Sequence, residues 1–376
     1  MKKWIHQGLL LLLVCGLVSS SYATERKDFK KTIKKEFDLS KNGELEIDNK
    51  FGKVDIKTWD KNRVSIEVTV LVRAESQSKA EEIFDRISIH FSNGDDYVRA
   101  ETDIESKKSN SWWGWNSYNN SNDYEINYDV YMPTSADLDL ENRHGEAIIA
   151  KLDGDAVIDI AHGDLSAAGF GGDLELELAH SEGNIGDVQM LEADIAHSDV
   201  RFDKIKEANF DMAHGDIEIE EIDILRLDSR HANFELGKVG ELRADTRHDD
   251  FEIEYAGTLI SEAQHTDFDI EKIGKLVDLD CSHGGASIDY LEAGFQSVNL
   301  HGSHTSFRIR VDEEASYQLD AYGSHAGIDY PSDMDVRYEK DKNNSQEVRG
   351  FIGNANEKSA KLIKARLSHG NLRLRQ

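Results

Sequence analysis

Proline is nearly absent, with two residues in 376, and cysteine is equally scarce, with Cys15 and Cys281 alone. Basic residues are also in deficit: 44 Lys and Arg stand against 73 Asp and Glu, a formal charge of −29 and a pI near 4.8. That balance argues against nucleic acid or anionic lipid as the main partner, because both would present negative charge to a negative surface. Wholesale disorder is excluded by 39% hydrophobic content, which is ample for a fold that shares its core between repeating units. Catalytic motifs are missing too. His301-Gly302-Ser303-His304 has neither the spacing nor the glutamate of HExxH, and Gly169-Phe170-Gly171-Gly172 lacks the lysine of a phosphate loop.

Long hydrophobic runs are limited to one. Lys2 and Lys3 precede an apolar stretch from Gly8 to Val18, and Ser21-Tyr22-Ala23 offers small residues for cleavage, so residues 1–23 read as a secretory signal peptide. Leu12-Leu13-Val14-Cys15 is a poor lipoprotein box, since Val14 sits where a small residue is wanted. The mature chain then keeps only Cys281, and an intrachain disulfide is impossible even in an oxidising compartment. An exported protein is expected, periplasmic, cell-surface or secreted, with no transmembrane segment in the mature chain.

What the chain has in abundance is a repeat. Histidine recurs at 144, 162, 180, 197, 214, 231, 248, 265 and 283, in steps of 17 or 18, then more loosely at 304, 325 and 369. Apolar positions recur with it, at −6, −4 and −2 before each histidine and at +3, +5 and +8 after. For His180 the set is Leu174, Leu176, Leu178, then Gly183, Ile185, Val188; for His214 it is Ala208, Phe210, Met212, then Ile217, Ile219, Ile222. Period-two alternation on both sides means short half-buried strands joined at a tight corner.

A repeat this small cannot bury its own inner face, so copies must stack. The expected fold is all-β: a β-solenoid of about eleven 17–18-residue rungs over residues 136–331, roughly 50 Å long at the ~4.8 Å strand spacing. A propeller is disfavoured, because its blades need ~40 residues. Residues 24–135 lack the repeat and read as a β-rich cap domain with one helix near Ser76–Ile87; it would cover the open end of the stack. Its loop 106–123 gathers Trp112, Trp113, Trp115 and Tyr118 among Ser, Asn and Gly, a candidate contact surface for a cell-surface glycan or an envelope protein unless the rings fold back on the cap. A charged insertion at 332–358 interrupts the repeat, and residues 359–376 resume it as a last rung or cap strand.

The opening Asn49-Lys50-Phe51-Gly52-Lys53-Val54-Asp55-Ile56 and the closing Leu367-Ser368-His369-Gly370-Asn371-Leu372-Arg373-Leu374 resemble a family of bacterial exported putative-adhesin proteins of head-domain type. The resemblance implies a right-handed, β-helix-like rod with an envelope role, and offers no established catalytic residues to carry over. The corner departs from that family's usual Ser-Gly-Asp, reading His-Gly-Asp at 162–164 and 214–216.

The corner carries the chemistry worth testing. The residue at −3 is acidic in nine consecutive repeats: Glu141, Asp159, Glu177, Asp194, Asp211, Asp228, Asp245, Glu262 and Asp280. Acids make up about one residue in five of the chain, so this column is selected. At +2 the acids are Glu146, Asp164, Glu182, Asp199, Asp216, Asp250 and Asp267. Asp beside Gly suits a tight turn, and parity extends the inward series −6, −4, −2 to the histidine, which predicts a ladder of rings just inside the corner. The functional alternative is a divalent cation, zinc or calcium, held by His162, Asp164, His180, Glu182, His197, Asp199, His214, Asp216, His248 and Asp250. Against it, a uniform ladder designates no single convergent site. A polysaccharide-active enzyme is a third reading, but every repeat offers the same carboxylates where a catalytic pair needs one differentiated cleft. Cys281 occupies an inward −2 position and reads as a core residue. No cofactor is expected beyond the possible metal.

Overall fold

The computed structural model describes residues 26–105, 123–356, 358 and 361–376. Residues 1–23, expected to be a signal peptide, and Trp112, Trp113, Trp115 and Tyr118 lie outside them. Among the described residues the chain is nearly all-β: twenty strands form one large mixed sheet with unpaired edges, beside a single helix.

The N-terminal part is antiparallel. Strand β1 (Lys27–Asp38) pairs with β4 (Arg63–Ala74), β4 with β7 (Tyr124–Pro133), and β5 (Ile87–Asn93) with β6 (Tyr97–Ile104). Helix α1 (Gln77–Phe84) starts where Ser76, in an extended conformation, accepts a bond from the Lys79 amide, the usual N-cap geometry. Strands β2 (Glu44–Lys50) and β3 (Val54–Trp59) behave differently: they pair in parallel with β8 (Asp137–Arg143) and β9 (Ala147–Ile149). Between them Phe51 has φ 62°, and its amide bonds the Arg143 carbonyl. Phe51 therefore takes the place that histidine holds in later repeats, so the repeating register begins at β2, ahead of Ala136.

From β8 onward the repeat strands pair in parallel, each residue meeting the one 17 or 18 positions later until the step widens to 21 where Leu276 faces Ser297. Ile158 of β10 (Ala156–Ala161) faces Leu176 of β11 (Asp164–Ala179), which faces Ala193 of β12 (Glu182–Ala196), which faces Phe210 of β13 (Asp199–Arg247). Strands β14 (Asp250–Gln264), β15 (Asp267–Leu291) and β16 (Ser297–Val311) continue in register. The residues at −6, −4, −2, +3 and +5 are buried in repeat after repeat, among them Leu174, Leu176, Leu178, Phe210, Met212, Ile217 and Ile219. Like residues then stack: the rings of Phe234, Phe251 and Phe268 lie 4.6 and 4.8 Å apart. Exposed columns follow the same logic. Lys204, Glu221 and Lys238 occupy one position in successive repeats, and Glu221 pairs with both lysines at 3.2 and 2.7 Å.

The last strand departs from chain order. β20 (Leu362–Arg375) does not lie beyond β17 (Tyr317–Asp329); it is inserted between β16 and β17, parallel to both. Strand β19 (Ser345–Ile352) then runs antiparallel along the far side of β17, and β18 (Asp335–Lys342) along β19. The insertion 332–358 thus forms the end of the sheet, and the terminal segment is an interior member of it.

Candidate functional site

Twelve histidines share one backbone conformation. At each corner, from His144 to His325 and at His369, φ lies between 53° and 63°, the left-handed region in which histidine is one of the better tolerated non-glycine residues. The corner amide stays in the ladder: the N–H of His162 donates to Ala179 O at 2.9 Å, that of His197 to Ala213 O at 2.9 Å, and that of His265 to Ser282 O at 2.8 Å. Immediately after the histidine, the +1 residue turns inward. Ser181 and Ser198 each return a hydroxyl to the −1 carbonyl at 2.9 Å. Gly215 has φ 142°, and a Cβ there would come within 2.0 Å of Ser198 O, so a side chain has neither the room nor the backbone at this corner.

This geometry corrects the expected inward ladder. Every one of the twelve corner histidines is exposed. The left-handed residue consumes one position of the alternation, so inward residues fall at −6, −4 and −2 before it and at +3 and +5 immediately after it. Position 0 belongs to neither series.

The rings nonetheless form a ladder, on the outside. Successive imidazoles from His144 to His304 stack at 4.7–5.1 Å with planes within 17°. Because β20 is inserted, the order then runs His304, His369, His325, at 4.7 and 5.0 Å. Phe51 closes the other end on His144 at 5.1 Å. In four repeats the preceding serine contacts its histidine's Nδ1, as Ser282 does at 3.2 Å.

The carboxylate columns run beside the rings without pairing to them. Register sets Asp164 against Glu182, Glu182 against Asp199, and Asp250 against Asp267, and all are exposed. Among the described residues no ion pair joins an imidazole to a carboxylate. Part of the acid column serves the backbone: Asp199 accepts the Asp216 amide at 3.0 Å, and Asn233, where the acid is missing, donates to Asp216 at 2.7 Å. Along the N-terminal repeats a groove of about 680 Å³ is lined by His144, His162, His180 and His197 together with Glu146, Asp164, Glu182 and Asp199.

The electrostatics follow. Burial, then the neighbouring His162 and Arg143, hold the His144 imidazole below the ordinary range; partial desolvation, then His197 and His231, do the same to His214. Like charges also crowd the acids. The Glu177 carboxyl is raised first by Asp159 above it in the column, and Asp267 by burial and then Asp250. Among the described residues no three His, Cys, Asp or Glu side chains are gathered as a metal centre would need. Parallel rings nearly 5 Å apart direct their nitrogens side by side, whereas a chelating pair converges on one point ~2 Å from each nitrogen.

Two buried groups went unnoticed in the sequence. Asp249, at +1, is 1% exposed and accepts from the Ser229 hydroxyl at 2.7 Å and the Ala232 and Arg247 amides at 2.8 and 3.0 Å. Burial still raises its carboxyl above the ordinary value. At the start of the stack Asn49 and Asn142 are wholly buried and bonded to each other at 3.1 Å. Cys281 is 1% exposed, and burial pushes its thiol up to about 12, which removes it as a nucleophile.

No family model and no curated protein matches the sequence. Among solved structures, a putative cell adhesion protein from Clostridium sporogenes is similar at 8% identity over 92% of this chain and all of that one, with a TM-score of 0.18. A putative adhesin from Parabacteroides merdae is similar at 9% identity over 69% of this chain and 96% of that one, with a TM-score of 0.28. A putative lipid binding protein from Parabacteroides distasonis follows at 14% identity, 74% and 93% coverage and a TM-score of 0.27. Superposition this slight carries no argument about this chain's family, binding or activity.

Proposed function

We propose that the chain is an exported, non-catalytic β-solenoid that serves as an adhesin-like or structural protein of the cell envelope. The observation that carries this reading is the regularity of the exposed corner: one imidazole column runs through all twelve histidine repeats, flanked by a carboxylate column at +2 in seven of them. A long regular surface suits repeated weak contacts along an extended partner, whereas hydrolysis requires two carboxyls of unlike pKa in one place. The parallel 17–18-residue register supports a solenoid, and the leader-like residues 1–23 support export. The acidic surface favours a neutral or cationic envelope component over an anionic one.

The aromatic segment gives the experiment. Changing Trp112, Trp113 and Trp115 to Ser in the mature chain should cut attachment to isolated envelopes or immobilised glycans while leaving the melting temperature within about 2 °C. Release of reducing ends from a panel of polysaccharides, abolished by a single carboxylate change, would instead establish an enzyme.

A further inference from the structure

The groove along the N-terminal repeats holds hydrogen-bonding groups that the fold leaves unspent. Its four imidazoles, from His144 to His197, stack at 4.9–5.1 Å, and none of their ring nitrogens has a hydrogen-bond partner among the described residues. A neutral imidazole carries one donor and one acceptor nitrogen, so the column offers both at every rung. The acids beside it are also largely free. Among the described residues the Asp164 and Glu182 carboxylates have no partner, Asp199 accepts one backbone amide at 3.0 Å, and Glu146 meets Lys53 at 3.3 Å. Gly145, Gly163 and Ser181 complete the lining, so no apolar side chain faces the groove.

Pitch and polarity together select an occupant. An extended polypeptide advances about 3.3 Å per residue, so its groups fall out of step with rungs nearly 5 Å apart within two or three repeats. An apolar chain finds no apolar wall, and its approach would strip water from unpaired polar groups. A polyanion meets a row of carboxylates. A polycation is held by the acids but leaves the imidazole nitrogens without a use. A chain of equatorially linked pyranose rings satisfies both walls: it advances one ring in close to one strand spacing, and each ring carries hydroxyls that donate and accept. A hydroxyl bonded to a carboxylate makes the stronger, charge-assisted kind of hydrogen bond.

We propose that this groove binds a neutral, extended polysaccharide of β-1,4-linked hexopyranoses, one sugar per rung, through hydroxyl bonds to the imidazole nitrogens and to Asp164, Glu182 and Asp199. The site rests on the adhesin-like reading above and gives that reading its partner.

The test titrates the full mature chain with β-1,4-linked glucose oligomers of two to six units and follows the histidine ring protons by NMR. Shifts should appear at His144, His162, His180 and His197 together, and affinity should rise about tenfold from two units to four as contacts repeat along the oligomer. Changing His162→Asn with His180→Asn removes two rings yet keeps the left-handed corners, which Asn tolerates; it should weaken the four-unit oligomer about tenfold or more. His283→Asn makes the same change outside the groove and should leave binding unaltered. Affinity independent of length, binding that survives the paired change, or an equal loss in the His283 variant would overturn the proposal. So would binding of polylysine or polygalacturonate with no shift from any neutral oligomer. Attachment to isolated envelopes is measured in parallel: attachment without oligomer binding rejects the groove and spares the adhesin-like reading, and absence of both rejects the two together.

Discussion

A left-handed residue costs an ordinary L side chain roughly 1–2 kcal/mol, and one corner position adopts that conformation in all twelve histidine repeats. Stacking of each ring on its neighbours offsets part of this, since aromatic pairs contribute about 0.5–1.5 kcal/mol. The two effects can be separated at His197. Asn, which tolerates the conformation, should lose only the stack, whereas Val should lose both and lower stability by a further ~1–2 kcal/mol in urea titrations. Asp249 is a sharper case, because its truncation strands the buried Ser229 hydroxyl and Ala232 amide and the part-buried Arg247 amide. Asp249→Ala should destabilise by about 2–4 kcal/mol, against a change within about 0.5 kcal/mol for the exposed neighbour Asp250→Ala; equal effects would show that the buried bonds are not made. The alternation that located the core also held the sign of the missed corner. Apolar positions sit at −6, −4 and −2 before His214 and at +3 and +5 just after it, and only a residue that reverses the backbone there reconciles the two. Hydropathy records which side chains are inside but not the sign of φ, so parity alone predicts an inward ring.

Elements were legible wherever the repeat is strict. Strands from β10 to β16 follow the predicted inward positions because stacking makes each repeat dictate the next. Their order was not legible at the C-terminus: the segment around His369 has the pattern of any repeat, and a pattern shared by all repeats gives membership without place. The same sharing hid the first one, where Phe51 stands in the histidine's position. Element-level independence is testable. Deleting Leu191–Glu207 should leave a folded chain of undiminished β circular dichroism per residue, since Leu174 and Ala208 then meet as equivalent neighbours. Phe210→Asp, which buries an unpaired charge at a site 4% exposed, should cost several kcal/mol. Loss of β structure in the deletion, with tolerance of the aspartate, would refute stacked interchangeable repeats.

At the scale of the molecule, charge and fold meet along the corner. The chain carries 73 acidic groups against 44 basic ones; along the columns burial first and like neighbours second lower His144 and His214 and raise Asp267, while Asp159 first and burial second raise Glu177. The signs give separate pH windows. For the two histidines the unfolded chain, near 6.5, takes up protons before the folded one, so the stability they contribute is present above that value and falls as pH drops through their lowered native range. For the two carboxyls the folded state binds the extra protons, and stability recovers slightly at still lower pH. Had the imidazoles paired with the +2 carboxylates, the histidine effect would run the other way, with stability lost as pH rises past 7. The most direct measurement is an NMR titration of the ring protons of His144 and His214 in the folded chain, with His197→Asn to confirm coupling along the stack. An exposed column of mutually stacked, unpaired imidazoles predicts midpoints below 6.5 for both, with the His214 midpoint rising when His197 is removed; midpoints above 6.5, unmoved by that substitution, would contradict it.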